Sequence, residues 1–128
     1  MAAVTVGRTS LVETNLLIAQ GADNPFTWRY SIRDGDVSTP VDLTGYSAEG
    51  QIRARIGGEI YLDLTGHITL QGESGVIQMM IPAAVTESEA WNSRRVGVWD
   101  MELTAPDGGK IRFTEGTVTI DPDATRHV

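Results

Sequence analysis

The stretch Phe26 to Arg33 reads F-T-W-R-Y-S-I-R, which sets Phe26, Trp28, Tyr30 and Ile32 on one side and Thr27, Arg29, Ser31 and Arg33 on the other. Strict alternation is the period of an extended strand with one buried face; on a helix the same residues would be scattered around the axis. The pattern recurs along the chain. Tyr46, Ala48, Gly50, Ile52, Ala54 and Ile56 oppose Ser47, Glu49, Gln51, Arg53 and Arg55, and the small Ala48 and Gly50 leave room for a bulky ring such as Trp28 or Trp99. Ile60, Leu62 and Leu64 alternate next, then Ile68 and Leu70, and later Trp99, Met101 and Leu103 oppose Val98, Asp100 and Glu102. In Val76 to Ile81 only Gln78 is polar, so Ile77, Met79 and Ile81 are expected inward and Val76 and Met80 on an outer face that is itself covered.

Between these runs lie turn signals. Gly21 to Pro25, Asp34 to Asp36 and Pro106 to Gly109 are typical turn sets, and Gly57-Gly58 supplies the positive φ angles of a tight two-residue hairpin. Ile111 and Phe113 are read inward on the strand after Gly109, with a bulge at Glu115 and Gly116 before Thr117 to Ile120. Thr86 and Glu89 have capping-box spacing, which predicts one helical turn over Thr86 to Trp91, anchored by Trp91. The 14 glycines and 5 prolines fit many short elements better than long helices. The expectation is an all-β fold of about seven to nine strands, a two-sheet antiparallel sandwich with one short helical turn. Residues 1–13 read as an extended arm, 14–123 as the sandwich, and 124–128 as a polar tail.

Composition narrows function by exclusion. With 10 Lys and Arg against 17 Asp and Glu, the formal charge is -7, a field that repels phosphate backbones. Arg53 with Arg55 and Arg94 with Arg95 are too small as clusters to reverse it, so nucleic acid is not an expected partner. No apolar stretch reaches bilayer-spanning length and the N-terminus lacks the pattern of a secretory signal, so a soluble protein without membrane contact is expected. The absence of cysteine removes disulfides, thiolate metal sites and a cysteine nucleophile.

No catalytic constellation emerges. His67 and His127 are the only histidines and have no co-ligands at metal spacing. No serine lies in a G-x-S-x-G elbow. Asp100 and Glu102 share one strand face, whereas Asp34 with Asp36 and Asp121 with Asp123 flank turns, where carboxylates bond to backbone N–H groups. Calcium at Asp34 and Asp36 would lack a full ligand series. The reading is therefore non-enzymatic, with no cofactor and no metal. Trp28 and Trp99 keep apolar company and read as core, while Tyr61 alternates with Asp63 and is expected to face outward, the one candidate for a sugar-stacking platform.

The strand W-R-Y-S-I (Trp28 to Ile32), the phrase P-V-D-L-T-G-Y (Pro40 to Tyr46) leading into Q-I-R (Gln51 to Arg53), the turn E-L-T-A-P-D-G-G (Glu102 to Gly109) and the closing E-G-T-V-T-I-D-P (Glu115 to Pro122) occur in an order that resembles small phage tail proteins similar to the N-terminal domain of baseplate upper proteins. The resemblance implies an immunoglobulin-like sandwich and a structural role in the virion, in a tail or baseplate. Its implied partners are other virion proteins and further copies of the chain. Because the chain stops at Val128 without a fibre region, a spacer, collar or adaptor is expected rather than a receptor binder, and the N-terminal arm is expected to add a strand to a neighbour's sheet. A capsid decoration protein and a free-standing carbohydrate-binding module are the alternatives.

Overall fold

The computed structural model describes residues 10–124. Alternation sets the strands and glycine-bearing turns end them. In chain order they are β1 (Val12–Glu13), β2 (Leu16–Ala19), β3 (Asn24–Arg29), β4 (Ser31–Asp34), β5 (Val37–Pro40), β6 (Ser47–Arg53), β7 (Ile60–Asp63), β8 (Ile68–Gln71), β9 (Val76–Ile81), the single-turn helix α1 (Ala83–Thr86), β10 (Val96–Thr104) and β11 (Lys110–Asp121). Short 3-10 turns cover Thr65–His67, Gly72–Ser74 and Glu89–Ser93.

A six-stranded sheet has the order β1-β11-β10-β6-β7, with β2 also on β11; a three-stranded sheet has the order β3-β9-β8; β4 and β5 form a separate two-stranded hairpin. This is an immunoglobulin-like sandwich. The strands β3, β9 and β8 take the B, E and D places, and β6, β10 and β11 take C, F and G, with β7 added beside C. All pairings are antiparallel except those of β1 and β2, which run parallel to β11.

The core lies between the sheets. Ile52, Trp99, Met101, Leu103, Phe113, Val118 and Ile120 of one sheet meet Ile77, Met79 and Ile81 of the other, all fully or nearly fully buried. Immunoglobulin domains commonly join the B and F strands by a disulfide. Here the rings of Trp28 and Trp99 occupy that place, with centroids 5.6 Å apart. Each ring also carries an N–H that needs a partner when buried. Trp28 Nε1 donates to Thr14 Oγ1 at 3.0 Å and Trp99 Nε1 to the Thr14 carbonyl at 2.8 Å, while Thr114 Oγ1 donates to Thr14 Oγ1 at 2.8 Å. Thr14 sits so close over Gly116 that a side chain at Gly116 would run into the Thr14 carbonyl.

Several expectations from sequence are corrected. The run Phe26 to Arg33 is not one strand: it breaks at Tyr30, whose N–H donates to Gly75 O at 2.8 Å, and its last part becomes β4, leaving Ile32 62% exposed. Val12 and Glu13 belong to the six-stranded sheet and not to a free arm; residues 1–9 of the expected arm lie outside the described residues. The Gly57-Gly58 turn is centred one residue earlier, with Gly58 N donating to Arg55 O at 2.8 Å and only Gly57 at positive φ, so Ile56 is fully in solvent and β6 ends at Arg53. What crowds Gly50 is the backbone of Asp100 and Met101, not a ring. The bulge lies at Phe113, since Met101 pairs with Thr114 and Glu102 with Arg112, and the consecutive Phe113 and Thr114 are both buried. Met80, expected to be covered, is 43% exposed.

Thr86 closes α1 instead of opening a helix. Its buried hydroxyl accepts from Gly21 N at 2.8 Å, and Asp23 Oδ1 accepts from Ala83 N at 2.8 Å at the helix start. The connection from β9 to β10 thereby locks onto the β2–β3 turn, with Trp91 buried as the anchor expected of it.

Replacing Thr14 by Val keeps the shape but leaves Trp28 Nε1 without its acceptor. The expected loss in urea unfolding is about 1–3 kcal/mol, while Thr14→Ser, which keeps the hydroxyl, stays within about 1 kcal/mol of the parent. Gly116→Ala forces Thr14 and β11 apart and is expected to cost about 1–3 kcal/mol in the same measurement.

Candidate functional site

The outer face of the six-stranded sheet is ordered in rows by strand register. One row crosses the sheet as Glu13, Glu115, Asp100, Gln51 and Asp63, and the next as Arg112, Glu102 and Glu49. Like charges side by side across strands repel. Arg112 relieves part of this, with Nε 3.8 Å from Asp100 Oδ2 and Nη1 3.5 Å from Glu115 Oε2, and Lys110 Nζ lies 3.1 Å from Glu49 Oε1. Glu13, Gln51, Asp100, Glu102, Arg112 and Glu115 border a shallow depression of about 570 Å³ that extends toward Ile56 and Gly57.

Beyond the carboxylates the same face turns apolar. Leu17, Thr119 and Val96 form a row across β2, β11 and β10, and Thr117, Val98, Arg53 and Ile60 form the next. Leu17 is 63%, Val96 66%, Ile60 44% and Ile56 91% exposed. Arg53 Nη1 donates to Gly58 O at 2.8 Å, and Arg95 Nη1 to Arg94 O at 2.8 Å. Among the described residues Arg53, Arg55 and Arg95 have no carboxylate partner.

A second exposed element is the β4–β5 hairpin. Its register pairs Ile32 with Thr39 and Asp34 with Val37, so these four share one face; apart from the half-buried Ser31 its strand residues are exposed. Asp34 and Asp36 at its tip have no cationic partner among the described residues.

The residues singled out from sequence do not converge. His67 ends the 3-10 turn before β8, half-buried, and His127 lies outside the described residues. Asp34 and Asp36 are on the hairpin, Asp100 and Glu102 on the sheet face, and Asp121 and Asp123 at the end of β11, with Asp123 packed against Gly21. No group of three or more His, Cys, Asp or Glu placed to hold a metal occurs among the described residues.

Tyr61 overturns its expectation. It is the extra residue of a bulge, since Ile52 pairs with Leu62 but Arg53 with Ile60, and the irregularity turns its ring toward Trp91, 6.1 Å between centroids. The Arg94 guanidinium lies 4.5 Å from the Tyr61 ring centroid and 4.7 Å from that of Trp91, and Arg94 also pairs with Glu59 at 3.6 Å. The predicted sugar-stacking ring is thus occupied. Trp28 is flanked by Phe26 and Trp99, and Trp91 and Trp99 are each 3% exposed.

Two carboxylates have shifted acidities. Asp42 is held below the usual aspartate range by the hydroxyl and N–H of Thr44, which it accepts at 2.6 and 3.0 Å, and Asp63 is held low by bonds from Thr65. These are local turn devices in the two D-L-T-G segments, residues 42–45 and 63–66. Tyr30 is raised, chiefly by burial and then by Tyr46.

No family model matches the chain, and no curated protein matches it. Among solved structures it is similar to extracellular domains 3–5 of Drosophila OTK, at 14% identity and a TM-score of 0.36, over 91% of this chain. The chain spans 34% of that structure's length. Among the described residues no helix is long and apolar enough to cross a membrane.

Truncating Arg94 to Ala removes the cation from between two rings and the bond from its Nη1 to Tyr61 O. A loss of about 1–2 kcal/mol is expected, with a change in tryptophan fluorescence as Trp91 becomes wetter. Because the folded-state pKa values of Asp42 and Asp63 are depressed, their contribution is present above the unfolded aspartate value of about 3.9 and is lost as pH falls through the lower folded values. An acid titration of Asp42→Asn should accordingly show a shallower decline below about pH 4 than the parent; an unchanged decline would mean the Thr44 contacts do not survive in solution.

Proposed function

We propose that the chain is a non-enzymatic structural protein of a phage tail or baseplate, located in the virion, that works through protein–protein contacts with other virion proteins and with copies of itself. The observation that carries this reading is the set of large apolar side chains left in water at one end of a sheet face: Leu17, Val96, Ile60 and Ile56. Apolar side chains gathered in this way, bordered by charge, are characteristic of surfaces that associate with protein. The tail and baseplate assignment rests on the resemblance of the W-R-Y-S-I, P-V-D-L-T-G-Y and E-G-T-V-T-I-D-P segments described above. The carbohydrate-binding alternative is weakened because the Tyr61 ring is covered by Trp91 and Arg94.

The test is quantitative mass spectrometry of purified particles from a phage that encodes the chain, followed by localisation by electron microscopy. A fixed stoichiometry and a symmetric position in the tail are expected. Density confined to the capsid surface would favour a decoration protein, and absence from particles would remove the structural role.

A further inference from the structure

Two exposed features at opposite ends of the molecule match one another. The hairpin emerges at the end where β10 turns into β11: its base is closed by Val41 N donating to Tyr30 O at 2.9 Å, the Tyr30 ring lies 5.3 Å from Phe113, and the neighbouring Gly45 abuts Pro106 of the β10–β11 turn. The apolar rows lie at the other end, where β10 begins at Val96, β11 finishes, and the Arg55–Gly58 turn joins β6 to β7. A two-stranded hairpin with no third strand is marginal in water. This one presents Ile32 and Val37, 62% and 63% exposed, on the same face as Asp34, with Asp36 at the tip. The opposite end presents Leu17, Val96, Ile60 and Ile56 with Arg53, Arg55 and Arg95, which have no carboxylate partner among the described residues.

We infer that the β4–β5 hairpin of one copy docks on the apolar, arginine-bearing end of the six-stranded sheet of a second copy. Ile32 and Val37 cover Val96, Leu17 and the Ile56 turn, and Asp34 and Asp36 meet Arg55 and Arg95. The pairing of charge is what selects a second copy: on the face with Ile32 and Val37 the hairpin's charge is acidic, its Arg33 standing on the other face opposite Ser38, while at the sheet end Arg53, Arg55 and Arg95 outnumber Asp121, Glu59 being paired with Arg94. The contact is heterologous, since hairpin and sheet end are different surfaces, so it leaves a free hairpin and a free sheet end on every pair and propagates into a ring or a stack. It rests on the assembly reading above and adds the partner and the mode of contact.

The experiment is sedimentation velocity on the full chain over a concentration series up to about 1 mM, at low and high salt. Two variants accompany it: Asp34→Lys with Asp36→Lys on the hairpin, and Arg55→Glu with Arg95→Glu on the sheet end. All four residues are exposed, and circular dichroism checks that each variant stays folded. The parent is expected to form species beyond the dimer that shrink with salt. Each variant should associate at least about 10-fold more weakly, and an equal mixture of the two should regain association, because the reversed charges complement each other. A parent that stays monomeric throughout, variants that associate like the parent, or a mixture that regains nothing would each overturn the inference. A monomeric parent still found at fixed stoichiometry in particles would leave the virion role standing and remove only this contact. Self-association without incorporation would do the reverse.

Discussion

Thr14 is the point at which the two sheets and the N-terminal strand are tied together. Its hydroxyl accepts from Trp28 of β3 and from Thr114 of β11, and its carbonyl accepts from Trp99 of β10. Buried indole N–H groups cost free energy when unpaired, so the tryptophan pair that bridges the sheets is stabilised by a hydroxyl and a backbone carbonyl placed at this position. The close passage requires the missing side chain at Gly116, and it makes the break between β1 and β2 a structural element rather than a lapse in pairing. Thr14 N still donates to Glu115 O at 2.9 Å, and Asn15 Oδ1 accepts from Thr117 N at 3.0 Å, so the chain keeps its hold on β11 while its carbonyl turns inward. In a domain with no cysteine, this network and the stacked rings do the cross-linking that a B–F disulfide performs elsewhere.

The sandwich was legible in the sequence wherever alternation was uninterrupted. Trp99, Met101 and Leu103, and Ile77, Met79 and Ile81, are buried as their period requires. Legibility failed where a single extra or diverted residue changed the phase. Tyr61 and Phe113 are bulged, and a bulge shifts every residue beyond it relative to the partner strand, which one strand's own period cannot reveal. The split at Tyr30 was hidden for a related reason: Ile32 keeps the alternation of the preceding strand, but the bond from Tyr30 N to Gly75 O sends the chain into a hairpin of its own. Thr14 left no signal at all, because its role depends on partners at positions 28, 99 and 114 that only the fold brings near.

Charge is segregated between the sheets in a way that composition does not show. The strands β3, β9 and β8 contain no carboxylate, whereas Glu13, Glu49, Asp63, Asp100, Glu102, Glu115 and Asp121 all lie on strands of the other sheet. Three cations, Arg53, Lys110 and Arg112, accompany them. Surface ion pairs of this exposure contribute little to stability, so the ladder of acids is not explained as a stabilising device. Its consequence is directional. The outer face of the three-stranded sheet carries Thr27, Gln78 and Thr69 in one row and Arg29 as its cation, so the two broad faces present different fields to any neighbour.

Strand edges are treated differently from these faces. Pro25 on β3 removes a backbone donor at the edge of the three-stranded sheet, β7 at the far edge of the larger sheet is four residues long and bulged at Tyr61, and β8 is equally short. Such edges resist indiscriminate pairing with other strands. The exposed Val96 side chain lies on a sheet face, where a contact would be made by side-chain packing and charge rather than by extending a ladder. Side-chain surfaces discriminate between partners by shape and sign in a way that main-chain hydrogen bonds do not. The edges at β3, β7 and β8 are thus guarded against ladder extension, while the exposed Val96, Ile60 and Leu17 side chains gather on one face of the larger sheet.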